Sequence, residues 1–256
     1  VSDPRPHVLV TNDDGIGAPG IRHLADALAP HFDLTVVAPH QECSATGHGI
    51  SVLTNLRLAR YERDGRPWGW SLEGRPADCV KVAVQTISPD RPFDLVVSGI
   101  NNGQNLGLNI IYSGTVAAAR EGIVLGIPSI AVSVAYRDPL DVRFDTAARV
   151  ALEIARRTLE RGAPKGVLLN VNVPDLPYER LGGMAITRMG DSGFRDKFER
   201  IEHGEAGAGV IRNVGDRFRK STEEHHLNDD RAIREGKVSI TPLHVDATAH
   251  QHLDDL

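Results

Sequence analysis

Asp13 and Asp14 stand side by side where a short apolar run, Val8-Leu9-Val10-Thr11-Asn12, gives way to Gly15. Two unit charges about 4 Å apart repel by about 1 kcal/mol in water and about 4 kcal/mol at an effective dielectric near 20, so the pair is costly unless a cation lies between them. Without a cation, one carboxyl should titrate upward and hold its proton near neutral pH. Successive side chains of a strand point to opposite faces, so both aspartates converge on one ion only if the strand stops near Asn12. Gly15 permits that sharp exit. In an open parallel sheet, ligands gather at the carboxyl ends of strands, where this pair would lie. The string Asn-Asp-Asp-Gly is also ordinary turn chemistry, and on these residues alone both readings stand.

Two further loops carry groups that complement an acidic pair. In residues 39–49, Ser44 offers a neutral oxygen to a hard cation. His40 and His48 of the same loop read as solvated. In residues 99–115, Asn101, Asn102, Asn105 and Asn109 fall within nine positions, and Ser113 and Thr115 follow at the start of a helix. Amide-rich turns, hydroxyls and the positive end of a helix dipole suit a phosphate. Two rival chemistries fit less well. Gly15-Ile16-Gly17-Ala18-Pro19-Gly20 matches the dinucleotide fingerprint, yet the aspartates would press on a pyrophosphate, and the second strand runs into Pro39-His40 rather than an acid for the ribose. An aspartyl nucleophile needs carboxylates two positions apart, and position 12 is Asn; the adjacent pair better suits a metal with an activated water.

The elements that must position these loops follow from periodicity. Residues 8–11, 34–38, 95–98, 129–134 and 167–173 read as buried strands, alternating with helices over 19–28, 76–86, 116–125 and 144–161. This is the pattern of a mainly parallel sheet covered by helices. Runs 50–58 and 68–72 flank Asp64-Gly65 and predict a hairpin. From 191 to 236 the composition turns to glycine and charge, which predicts a flap or an oligomerisation arm. A strand returns over 238–241, before Pro242, and a polar tail follows. The expected organisation is one domain over 1–256: an α/β core over 7–190, the flap or arm over 191–236, and the last strand and tail over 237–256.

With 256 residues, 41% hydrophobic and 25% charged, the chain has the composition of a globular protein with a sizeable core. A net charge of -5 argues against binding a nucleic-acid polymer nonspecifically. Two cysteines, Cys43 and Cys79, are too few for a disulfide scaffold and are expected as reduced thiols. No run of 18 apolar residues and no hydrophobic leader at residues 1–7 is present, so the expectation is a cytosolic protein with no membrane partner.

Taken in order, five stretches resemble the SurE family, the survival protein E group of metal-dependent 5'/3'-nucleotidases. They are Thr-Asn-Asp-Asp-Gly-Ile-Gly-Ala-Pro-Gly at 11–20, Val-Val-Ala-Pro at 36–39, Val-Ser-Gly-Ile-Asn-Asn-Gly-Gln-Asn-Leu-Gly at 97–107, Tyr-Ser-Gly-Thr-Val-Ala-Ala-Ala at 112–119 and Val-Ser-Ile-Thr-Pro-Leu-His-Val-Asp at 238–246. The resemblance covers residues 8–190 and 238–250. It implies a Rossmann-like three-layer α/β sandwich, a homodimer or homotetramer with exchanged C-terminal segments, and dephosphorylation of nucleoside monophosphates with some activity on short polyphosphate. It also implies Asp13, Asp14, Ser44 and Asn101 as metal ligands, and Asn105, Ser113, Gly114 and Thr115 near the phosphate; Asn12 is grouped with this phosphate set. The family commonly has Arg before the ligand serine, where this chain has Cys43 preceded by Glu42. Residues 191–236 match poorly.

The resulting expectation is hydrolysis of a phosphomonoester by a metal-activated water, with Asp13 and Asp14 catalytic and one divalent cation per subunit. All-oxygen ligands favour Mg²⁺ or Mn²⁺ over zinc. Metal-bound water or a histidine of the flap is the candidate general acid. A nonenzymatic nucleotide-binding or regulatory module on the same scaffold is the alternative.

Overall fold

Residues 5–135, 141–203, 209–215, 217–222 and 227–253 are described in the computed structural model. The first half of the chain runs β1 (His7–Thr11), α1 (Pro19–Leu28), β2 (Asp33–Pro39), β3 (Leu58–Arg63), β4 (Arg66–Leu72), α2 (Pro76–Val82), β5 (Leu95–Asn102) and α3 (Gly114–Val124). It continues through β6 (Ser129–Ala135), α4 (Phe144–Arg161), β7 (Val167–Pro174), β8 (Met184–Ile186) and β9 (Gly193–Arg195). The last described elements are β10 (Phe198–His203), β11 (Gly209–Asn213), β12 (Arg217–Arg219), α5 (Asp229–Arg234) and β13 (Val238–His244).

Period-two alternation in the strands decides the layers. In β1, Val8 and Val10 join one apolar cluster while Leu9 joins another; Val36 and Ala38 against Val37, and Leu95 and Val97 against Val96, do the same. The first cluster is closed by α1, through Ile21, Leu24 and Leu28, and by α4, through Ala147, Ala151 and Ile154. The opposite face is closed by α2, through Cys79 and Val80, and by α3, through Ala118 and Val116. The outcome is the expected three-layer α/β sandwich. Among the described residues its sheet has the order β3-β4-β2-β1-β5-β6-β7-β13-β8. Strands β4, β2, β1, β5, β6 and β7 are parallel neighbours, and β3 and β13 are antiparallel to β4 and β7. Chain order reverses at β1, whose neighbours are β2 and β5, and the carboxyl ends of these three strands therefore frame a crevice.

Several boundaries differ from the sequence reading: β5 runs on to Asn102 and α3 begins at Gly114, and three further differences have a local reason. The hairpin turns at Asp64 and Gly65, both with positive φ as a type I′ turn requires. Its first strand is Leu58–Arg63 rather than residues 50–58: the ladder starts where Leu58 pairs with Leu72, the last residue of β4, and just before it Glu73 N donates to Arg57 O at 2.9 Å. Helix α2 ends at Val82 and passes into a wider π-type turn over Ala83–Ile87, closed by Ser88 N donating to Ala83 O at 2.9 Å. Strand β13 runs through Pro242 to His244. Beside it β8 pairs only as far as Ile240, so the proline occupies a free edge where a missing N–H is tolerated.

The segment read as a flap or arm carries two short antiparallel ribbons, β9 with β12 and β10 with β11, followed by α5. Among the described residues no helix is long and apolar enough to cross a membrane.

Leu24 of α1 is fully buried in the apolar cluster that α1 and α4 close. Leu24→Ala should cost about 3 kcal/mol of unfolding free energy, read as a lower urea midpoint at unchanged slope.

Candidate active site

The turn after β1 places the aspartates. Gly15 has φ +98°, a conformation that L side chains rarely adopt, and Asn12 Nδ2 donates to Gly15 O at 2.9 Å to close the turn. Asn12 is fully buried and lies outside the cavity lining, so its observed contact is with the turn.

Asp13 is held from two sides. Its backbone carbonyl accepts Cys43 N at 2.8 Å, which ties the loop after β2 to the end of β1. Its Oδ1 accepts the Thr115 hydroxyl at 2.5 Å, in the first turn of α3. Gly114 makes that approach possible: a Cβ there would lie 2.8 Å from Asp13 Cβ and 2.9 Å from Oδ2. The helix N-terminus adds a partial positive charge beside this carboxylate. Asp14 Oδ2 accepts Asn102 N at 3.2 Å, from the end of β5.

Burial raises the Asp13 carboxyl above its ordinary value, against the Thr115 hydrogen bond. Asp14 is pushed up to about 7, first by burial and then by the charge of Asp13. Among the described residues neither aspartate has an ion-pair partner. Two desolvated like charges without a cation are what a hard metal ion would relieve.

Asp13, Asp14, Ser44, Asn101, Asn105 and Ser113 line one cavity, joined by Glu42, Arg195 and Arg219. Ser44 donates its hydroxyl hydrogen to Glu42 Oε1 at 2.6 Å, which leaves the oxygen lone pairs for a cation. Asn101 Nδ2 donates to Gly103 O at 2.6 Å, which leaves Oδ1 as its acceptor atom. Among the described residues no group of three or more His, Cys, Asp or Glu is placed to hold a metal. A cation here would therefore take two carboxylates and complete its shell with neutral oxygens, a set that suits Mg²⁺ or Mn²⁺.

The phosphate set divides. Asn105 and Ser113 line the cavity, whereas Gly114 and Thr115 contact Asp13 instead. Ser113 caps α3 by accepting Val116 N at 3.1 Å. Asn105 is locked by four bonds: its N donates to Asn172 Oδ1 and its Nδ2 to Ser133 Oγ, both at 2.8 Å, and its carbonyl accepts Asn170 Nδ2 and Asn172 Nδ2 at 2.9 and 3.0 Å. Sequence reasoning missed these partners, although Asn170 and Asn172, two positions apart in an otherwise apolar strand, are buried amides that had to be satisfied. It also missed Asp229. This buried carboxylate accepts Gly107 N at 2.8 Å, Gly190 N at 3.1 Å and Asp230 N at 2.9 Å, and burial raises its pKa. No histidine lines the cavity among the described residues, and His225 and His226 of the expected flap lie outside them.

The chain matches the model of the family described as Survival protein SurE over residues 8–196. It is 43% identical to the 5'-nucleotidase SurE of Desulfatibacillum aliphaticivorans, over 98% of this chain and 96% of that protein. It is 40% identical to the 5'-nucleotidase SurE of Syntrophobacter fumaroxidans, over 97% of both. The crystal structure of the SurE protein from Aquifex aeolicus superposes with a TM-score of 0.84 at 35% identity, covering 98% of each chain.

The raised value of Asp14 sets a pH dependence. Because its folded pKa exceeds the unfolded value, its contribution to stability is present below the unfolded pKa, about 4, and is lost as pH rises through the folded value. In EDTA, wild type should lose more melting temperature between about pH 5 and about pH 8 than Asp14→Asn, which lacks this titration. Equal losses would contradict the burial of Asp14.

Proposed function

Because the chain belongs to the SurE family, and because its buried aspartate pair opens on a cavity walled by amides and a helix N-terminus, we propose that it is a metal-dependent nucleotidase. It releases phosphate from nucleoside 5'- and 3'-monophosphates, with short polyphosphate as a side substrate. The single observation that carries this reading is the desolvated Asp13–Asp14 pair with neutral oxygens beside it. The curated relatives named 5'-nucleotidase support the substrate class.

Asp13, Asp14, Ser44 and Asn101 would hold one Mg²⁺ or Mn²⁺ per subunit. Such an ion, when bound, polarises a phosphoryl oxygen and makes water more acidic. The chain's own groups supply the rest. The N-terminus of α3 and the Ser113 hydroxyl bind the phosphoryl oxygens and stabilise the charge that develops on them. Thr115 and Gly114 hold Asp13 at a fixed distance from that helix. Asp14 Oδ2 accepts Asn102 N, so the proton of the attacking water goes to Oδ1. As the water oxygen bonds to phosphorus, the ester bond breaks, and the leaving nucleoside oxygen takes a proton from solvent. Arg195 lines the same cavity and supplies positive charge that Cys43 does not, while Arg219, also in the lining, pairs with Asp191 at 3.7 Å. A homodimer or homotetramer is part of this reading, supported by the exposed apolar residues Phe198, Ile201, Val210 and Ile211 of the β10–β11 ribbon.

Asp13→Asn should keep its circular dichroism spectrum and lower phosphate release from AMP by about a hundredfold or more. EDTA should abolish release by wild type, and added Mn²⁺ should restore it. Undiminished turnover in Asp13→Asn or in EDTA would contradict the proposal.

A further inference from the structure

The cavity has a second wall of different chemistry. Tyr112, 61% exposed, Phe194, 65% exposed, and Leu108, 41% exposed, all line it beside the aspartates and amides. Backbone straps fix this wall. Leu108 N donates to Ser192 O at 2.7 Å, Phe194 N donates to Asn109 Oδ1 at 3.2 Å, and Gly47 N donates to Tyr112 O at 2.9 Å. Asp229 anchors the same turn through Gly107 N. Strand β9 is thereby held against the turn that leads into α3, and Tyr112 immediately precedes Ser113, the cap of that helix. A phosphate at Ser113 thus has one aromatic residue next to it in sequence and a second in the lining of the same cavity. The cavity, about 1010 Å³, has room for a nucleoside beyond the phosphate.

We propose that Tyr112 and Phe194, with Leu108 beside them, form the platform on which the nucleobase of the substrate stacks. The proposal rests on the nucleotidase reading above. Every base presents a π face, so a stacking platform accepts adenine, guanine, cytosine and uracil alike, and it favours nucleotides over sugar phosphates that lack a base.

The test compares kcat/KM for AMP and for ribose 5-phosphate, which carries the same phosphate on a sugar without a base, using the full chain with Mn²⁺. Wild type should prefer AMP. Tyr112→Ala and Phe194→Ala should each reduce that preference about tenfold, chiefly through KM for AMP, and Tyr112→Phe and Phe194→Tyr should restore it to within about twofold of wild type. GMP, CMP and UMP should follow AMP. A preference unchanged in the alanine variants, or equal losses on both compounds, overturns the platform. Equal losses accompanied by a smaller sedimentation coefficient would assign the patch to contact between copies of the chain and overturn it as well. A wild type that hydrolyses neither compound overturns the nucleotidase reading itself and the platform with it.

Discussion

Like charge on consecutive residues at the end of a buried central strand is the constraint around which the molecule is arranged. Asp13 is only 4% exposed and Asp14, half-buried, lies beside it at the cavity wall, where solvent screens the two carboxylates less than in open water. Two unit charges about 4 Å apart at an effective dielectric near 20 repel by about 4 kcal/mol, comparable with a substantial part of a domain's net stability. The surroundings soften this cost without removing it. The Thr115 hydroxyl, the N-terminus of α3 and the Asn102 amide all favour the ionised forms, yet both carboxyls remain above their ordinary values. Helix α3 comes close enough to help only because residue 114 lacks a side chain. Among the described residues neither carboxylate has an ion-pair partner to offset what remains.

Hydrogen bonds between buried polar groups tie the loops of this framework to the sheet. Asn105 is held by Asn172, Asn170 and Ser133 on β7 and β6, and Gly107 is held by Asp229 from the start of α5. Each of these groups would cost free energy if left unpaired in the interior, so they fix the amide-rich loop relative to the sheet. A buried bridge acts similarly on the opposite side. Glu121 of α3 meets His48 Nε2 at 2.8 Å and Lys81 Nζ at 3.0 Å, which ties the loop bearing Ser44 and helix α2 to the helix whose first turn holds Asp13.

Much of this was legible in the residues. Short continuous apolar runs in 8–11, 34–38 and 95–98 marked strands with two buried faces, and the order of such strands brings Asp13, Ser44 and Asn101 to one edge. Pro19 and the apolar spacing of 144–161 marked α1 and α4 to the residue. What stayed hidden depended on contacts distant in sequence. Thr115 reads as a phosphate donor beside Ser113, and only the packing of α3 against β5 and β6 brings its hydroxyl to Asp13. Asn12 reads as part of the same motif as Asp13, but the turn at Gly15 directs it inward. Asp229, Phe194 and Arg219 sit in or after a glycine- and charge-rich stretch with no period to place them, so their position beside the 101–112 loop could not be read locally.

Anomalous scattering from crystals of the protein soaked in Mn²⁺ tests the central claim most directly. The account predicts one strong peak per subunit between the carboxylates of Asp13 and Asp14, within bonding distance of both and approached by Ser44 and Asn101. Ordered manganese elsewhere in the crystal with that position empty, while phosphate occupies the cavity, would contradict it.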